Sequence, residues 1–174
     1  MKKITLLGLL ALPALIGCSQ QINFITLSKV IYKNAIHSGE KSFKIAEYKQ
    51  NGRSEVYRRN KQSFLHGILD TIFIVERYNA ETASISGTIF SNKGKVNYSY
   101  DKKDLALLKE PVFTRYQLNL LAKWDTVAIR EEEKKNEIVF GGNIISANRC
   151  VIQNGRWVIK EIYFKDFFNL KRDQ

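Results

Sequence analysis

Turn signals between short segments of alternating apolar residues constrain the fold of this chain more than any other feature. An Asn-Gly pair occurs at 51–52 and again at 154–155, and Ser-Asn-Lys-Gly at 91–94 is a third turn signal. Asn-Gly is the strongest short-range hairpin signal, because both central residues of a type I′ turn need positive φ. The sequence therefore predicts three β-hairpins within an antiparallel sheet.

A longer strand is predicted in the second half of the chain. From 116 to 130 apolar residues alternate with polar ones, which places Trp124 on the buried face of a strand. The next strand is expected to bend at Gly141-Gly142, and the charged run 131–136 is interpreted as a turn. The predicted strands together are 43–48, 54–58, 84–90, 95–100, 116–130, 138–152 and 156–164.

Three segments have patterns typical of helices. Apolar residues recur at helical spacing from Gln62 to Tyr78, after Asn60 as a candidate N-cap, which predicts the main core helix. A mixed pattern over 22–36 predicts another helix. Residues 101–109 are expected to form a short helix that ends before Pro111.

A core helix followed by a three-strand meander resembles the cystatin-like and nuclear-transport-factor-2-like folds. The ending Asn154-Gly155-Arg156-Trp157-Val158-Ile159 is similar to the closing hairpin of that superfamily. The resemblance implies an α+β domain in which a curved antiparallel sheet wraps a helix and encloses a cone-shaped pocket. A small lipocalin-like β-barrel is the alternative, which needs eight strands where the pattern predicts about seven.

The N-terminus carries a targeting signal. Met1-Lys2-Lys3 is a cationic start, and the apolar run 4–16 is shorter than the roughly 20 residues that span a bilayer. The junction Leu15-Ile16-Gly17-Cys18 resembles the lipobox of bacterial lipoproteins. That resemblance implies cleavage before Cys18, a diacylglycerol thioether on its sulfur and usually an acyl chain on the new amino group.

These features predict the domain organisation and the location. Residues 1–17 are expected to be a lipoprotein signal peptide, 18–21 a lipidated tether and 22–174 a single α+β domain. Ser19 follows the cysteine where an aspartate would signal retention in the inner membrane. We therefore expect a protein anchored by its lipid in the inner leaflet of the outer membrane, facing the periplasm.

The charge of the chain favours an anionic partner. Its 28 Lys and Arg against 17 Asp and Glu give +11, and removing Lys2 and Lys3 with the signal peptide leaves +9. The densest cluster is Arg58, Arg59 and Lys61, the candidate binding residues. Nucleic acid is not an expected partner of a secreted lipoprotein. Another envelope protein or an anionic envelope component is more accessible.

The chain offers few residues for chemistry. With Cys18 acylated, Cys150 is the one remaining thiol, and its apolar surroundings predict a small buried side chain. Neither histidine, His37 or His66, has metal-ligand spacing, and no metal or cofactor is predicted. His66 and Asp70 stand four apart on the predicted core helix, as an acid–base dyad would. A solvated polar pair is the simpler interpretation.

Three classes of function remain. The first is a non-enzymatic binding or envelope-assembly module with a basic surface, which composition favours. The second is an immunity or antagonist lipoprotein that occludes a periplasmic toxin. The third is a small-pocket enzyme that uses His66 and Asp70.

Overall fold

The domain is an α+β fold, as predicted. The computed structural model describes residues 23–37, 43–67, 69–101, 104–135 and 144–165. The elements within them, in chain order, are α1 (Phe24–His37), α2 (Phe43–Arg59), a 3-10 helix (Phe64–His66), β1 (Thr71–Asn79), β2 (Ser84–Ser91), β3 (Gly94–Asp101), β4 (Asp104–Leu108), α3 (Arg115–Lys123), α4 (Thr126–Lys135), β5 (Ile144–Gln153) and β6 (Arg156–Lys165).

The six strands form one antiparallel sheet in the order β4-β3-β2-β1-β5-β6. Strands β1 to β4 are a meander, and the β5–β6 hairpin adds to the other side of β1. The sheet is curved. It is also open, since β4 and β6 are unpaired edges within the described part of the chain. A helix-on-sheet arrangement of this kind is compatible with the cystatin-like and nuclear-transport-factor-2-like folds, and the closed lipocalin-like barrel is wrong.

Helices cover both faces of the sheet. Alternation along β1 sends Ile72 and Ile74 into a core beneath α1 and α2, where Phe24 of α1 is also fully buried. Val75 points the other way, into a second core that includes Ile129 of α4. Because two helix pairs pack on opposite faces, the central strand β1 is buried on both sides.

Several sequence predictions are confirmed. Helix α1 lies where a helix was expected over 22–36, and β2 and β3 form the hairpin predicted around 91–94. The Asn154-Gly155 turn has φ values of 50° and 70°, as a type I′ turn requires. The β5–β6 hairpin on either side of it is also confirmed.

The first predicted hairpin is wrong. Residues 43–58 lie in α2, and Asn51-Gly52 is inside that helix rather than in a turn. The glycine is used for close packing, since a Cβ at Gly52 would lie 3.2 Å from the Tyr100 side chain. Helix α2 therefore lies close against β3.

The predicted core helix over 62–78 is wrong as well. It is replaced by the 3-10 helix and by β1, while α1 and α2 supply the helices of that core. A strand covered on both faces is apolar at nearly every position, so its pattern resembles that of a buried helix. The helix predicted over 101–109 is likewise wrong, because β4 occupies this segment.

The long strand predicted over 116–130 is two helices. Thr114 and Gln117 form a capping box that starts α3, and Trp124 caps the C-terminal end of this helix in the left-handed conformation, with φ 55° and ψ 38°. Trp124 is half-buried against the second core. The charged run predicted as a turn from Glu131 lies mostly in α4. Gly141-Gly142, the lipobox, Cys18 and the tether are outside the described residues.

Candidate functional site

A cluster of charged and polar side chains is buried between α2 and the sheet. Arg53 of α2 and Glu76 of β1 are 1% and 0% exposed, and their Nε and Oε1 atoms are 3.4 Å apart. The hydroxyl of Tyr98 donates a hydrogen bond of 2.6 Å to the same carboxylate oxygen of Glu76. The result is an ion pair with a phenol as third member in the interior of the domain.

The strand register places these groups side by side. Gly87 of β2 stands between Glu76 and Tyr98 in the sheet. A Cβ at Gly87 would lie 2.7 Å from the Tyr98 ring, so the ring occupies the space that a side chain would fill. The absence of a side chain on β2 lets a phenol from β3 reach a carboxylate on β1.

A second cation of α2 extends the cluster toward β5 and β6. Lys49 is 7% exposed and donates a hydrogen bond of 3.0 Å from Nζ to Ser146 Oγ. Its ammonium lies 5.9 Å from the ring centroid of Tyr163. The Nε of Arg53 donates to the Lys49 carbonyl at 3.2 Å, one helical turn away. Lys49 and Arg53 are therefore held within the same buried polar cluster.

Some atoms of the cluster have no hydrogen-bond partner in the described part of the chain. They are Arg53 Nη1 and Glu76 Oε2. Buried polar atoms are usually satisfied by protein or by ordered water, and polar sites of this kind attract water. One of these atoms is a donor and the other an acceptor, so a single ordered water would complete the hydrogen bonding of the cluster.

The phenol in this cluster acts as a hydrogen-bond donor. Burial, and then the charge of Glu76, raise the pKa of Tyr98 well above its usual value, while Arg53 acts in the opposite direction. Tyr98 therefore stays protonated at neutral pH. A predicted hairpin over 43–58 separates Arg53 from Glu76, so sequence reasoning misses this ion pair. The available signal was a carboxylate inside the apolar run of β1.

His66 and Asp70 do not lie on a common helix, as the predicted dyad required. His66 ends the 3-10 helix, its ring stacks on Tyr57 at 4.0 Å, and its Nε2 is 3.0 Å from the Tyr57 carbonyl oxygen. Asp70 is exposed in the bend before β1. No group of three His, Cys, Asp or Glu suited to a metal ion occurs in the described ranges.

The candidate binding residues lie at the C-terminal end of α2. Arg58 makes two hydrogen bonds to the Glu55 carboxylate, at 3.1 and 2.7 Å, and Arg59 makes a third at 3.1 Å. These bonds lower the pKa of Glu55, chiefly through Arg58. Arg59 also donates to the Leu105 carbonyl at 3.3 Å and thereby joins α2 to β4. Arg58 has a side chain 66% exposed, and Lys61 is also exposed.

A contact of Phe64 joins the segment after α2 to a turn that carries another basic residue. The chain leaves α2, and Phe64 then packs on the β2–β3 turn, where a Cβ at Gly94 would lie 2.7 Å from its ring. The neighbouring Lys93 is exposed. We call Arg58, Arg59, Lys61 and Lys93 the basic corner. Its members come from two segments more than 30 positions apart in the sequence.

The remaining thiol is buried, as predicted. Cys150 is 0% exposed, and burial raises the pKa of its thiol. We expect maleimide to label the Cys150 peptide of the native protein at least about a thousandfold more slowly than that of the unfolded chain, given typical domain stabilities. Mass spectrometry of that peptide measures the rate. A cysteine introduced at the exposed Asn92 is the control, and comparable native rates at both positions would contradict the burial of Cys150.

Comparisons with protein-family models, with curated proteins and with solved structures found no match. In the part of the chain that the structure describes, no helix is long and apolar enough to cross a membrane.

Proposed function

We propose that this chain is a lipid-anchored lipoprotein of the bacterial envelope, facing the periplasm from the outer membrane, and that its domain is a non-enzymatic binding module. Its basic corner binds an anionic envelope component. The observation that carries this proposal is that Arg58, Arg59 and Lys61 lie at or just after the end of α2, and that Phe64, three residues further on, packs on the turn that carries Lys93. Sequence alone grouped Arg58, Arg59 and Lys61 and left Lys93 apart from them.

The charge balance of the basic corner supports binding of an anion. Glu55 neutralises part of it and holds the two arginine side chains in place. Asp104 is 3.6 Å from Arg59. Arg58, Lys61 and Lys93 remain exposed around this framework. Exposed positive side chains that surround a fixed ion pair attract and orient an anionic surface.

The contacts of His66 favour binding over catalysis. The Nε2 of His66 lies within hydrogen-bond distance of the Tyr57 carbonyl oxygen, and the His66 ring stacks on the Tyr57 ring. A general base must reach the proton that it removes in a plausible substrate pose. The enzymatic alternative therefore lacks the dyad geometry on which it depended.

The proposal is tested by salt and by charge reversal. The acylated protein is captured from its own envelope, and the affinity for the component retained is measured at 0.15 M and 1 M salt, where the Debye length falls from about 8 to about 3 Å. We expect high salt and the Arg58→Glu/Lys61→Glu variant each to weaken binding at least about tenfold. Arg59 is left intact because it also joins α2 to β4.

Lys123→Glu/Lys134→Glu is the matched control, since it makes the same change of charge at exposed positions of α3 and α4. The control variant should bind like the unmodified protein. Equal losses in both variants would mean that net charge alone matters. An affinity that survives both salt and reversal would assign the charge to solubility and contradict the proposal.

A further inference from the structure

The chain enters the domain beside the basic corner. Phe24, the first residue of α1, is fully buried, and its ring lies 6.1 Å from that of Tyr57 in the last turns of α2. Tyr57 in turn stacks on His66. The start of α1, the end of α2 and the 3-10 helix are therefore at the same end of the molecule. Any attachment preceding residue 23 acts on the domain from this end.

The covalent length of the tether limits how far this end can move. The inference rests on the proposed lipid anchor at Cys18, which is six residues before Phe24. Each residue spans at most about 3.3–3.6 Å, so the start of α1 stays within about 20 Å of the lipidated sulfur. A domain of this size has a radius of gyration of about 15 Å. The tether is thus shorter than the domain is wide, whatever its conformation.

We propose that the basic corner rests on the anionic phospholipid headgroups of the leaflet that holds the Cys18 lipid. The anchor holds this end of the domain near the membrane, and Arg58, Lys61 and Lys93 supply exposed positive charge there. Basic residues near an anionic surface are attracted over about one Debye length, which is about 8 Å at physiological salt. The contact fixes the orientation of the domain and turns α3 and α4, which pack on the face of the sheet opposite α1 and α2, away from the membrane.

The test uses the full acylated protein in vesicles. A fluorophore is attached to Gln62→Cys, next to the basic corner, or to Asp125→Cys, an exposed position between α3 and α4. The vesicles contain a quencher on the headgroup and are either neutral phosphatidylcholine or include about 30% phosphatidylglycerol. We expect the residue-62 probe to be quenched more in anionic vesicles, and the residue-125 probe to be quenched little in either.

Charge removal gives a second measurement. The Arg58→Gln/Lys61→Gln/Lys93→Gln variant is expected to lower the ratio of domains in contact with the headgroups to domains out of contact about a hundredfold. Each charge near the surface changes this ratio about fivefold. The quenching of residue 62 should then match that in neutral vesicles. Lys123→Gln/Lys134→Gln/Lys160→Gln removes the same charge from exposed positions of α3, α4 and β6, and should leave it unchanged.

The outcomes separate the two proposals. If the mass of the N-terminal peptide shows no acyl chain on Cys18, both the anchor and the seating are wrong. If the chain is acylated and inserts, but the residue-62 probe is quenched equally in neutral and anionic vesicles, the lipid anchor is retained. The proposed contact between the basic corner and the headgroups is then overturned. Equal effects of the two triple variants would also overturn it.

Discussion

Glu76→Ala is expected to destabilise the domain by about 3–5 kcal/mol, a large part of a typical domain's stability. The change leaves Arg53 as a buried charge with no carboxylate opposite, and it also removes the acceptor of the Tyr98 hydroxyl. Both lost interactions lie beneath α2, at side chains that are buried from bulk solvent. Denaturant unfolding measures the free energy of unfolding, and a loss below about 1 kcal/mol would contradict the burial of the ion pair.

Removing all three polar groups together is the sharper control. Arg53→Met/Glu76→Leu/Tyr98→Phe leaves no unpaired charge and no unpaired hydroxyl at this position. Buried ion pairs replaced by apolar groups of similar volume are often neutral or stabilising, so the triple variant should be more stable than Glu76→Ala. If the triple variant were less stable than Glu76→Ala, the ion pair itself would stabilise the folded domain. The loss in Glu76→Ala would then not be mainly the penalty of leaving a buried charge unpaired.

Turn chemistry made part of the fold predictable. The β5–β6 hairpin follows from Asn154-Gly155, because positive φ at two successive residues is a local requirement that neighbouring elements do not change. The same dipeptide at 51–52 failed. There, Gly52 allows a helix to approach Tyr100 closely, and tertiary packing decides the conformation. The two cases differ in what lies across from the glycine, which local sequence does not encode.

Burial of β1 on both faces removed the sequence pattern by which a strand is usually recognised. Helices on both faces of the sheet require apolar residues on both sides of the central strand, and Ile72, Phe73, Ile74 and Val75 are all buried. The period of two that identifies a half-exposed strand is lost under these conditions. The β-branched residues of 71–75 were the better signal. The helix predicted there also carried His66 and Asp70, which lie instead in the 3-10 helix and in the bend before β1.

The buried polar cluster depends on contacts that are distant in sequence. Arg53 and Glu76 belong to elements that were both assigned the wrong secondary structure, and Tyr98 comes from a third. No local spacing relates them, because the strand register and the placement of α2 determine the contact. The basic residues Arg58, Arg59 and Lys61 are neighbours in the sequence, so they stay close together whether the segment before them is a hairpin or a helix.

Gly87→Val is expected to destabilise the domain by about 3–5 kcal/mol, although valine favours strands and glycine does not. A Cβ at this position would lie 2.7 Å from the Tyr98 ring, between strands that hold the ring in place. Overpacking a core costs about 1–3 kcal/mol, and a ring that shifts also gives up a hydrogen bond to a charged group, worth about 1.5–3 kcal/mol.

The neighbouring residue provides the matched control for Gly87→Val. Ser86 is on the same strand, half-buried, and points to the opposite face of the sheet. Ser86→Val adds a similar side chain without meeting Tyr98, so strand propensity should make it neutral or slightly stabilising. Gly87→Val is therefore expected to lower the denaturation midpoint, and Ser86→Val to leave it unchanged or raise it slightly. If Gly87→Val is as stable as Ser86→Val, the Tyr98 ring does not occupy the space over Gly87, and the hydroxyl that satisfies Glu76 must reach it from elsewhere.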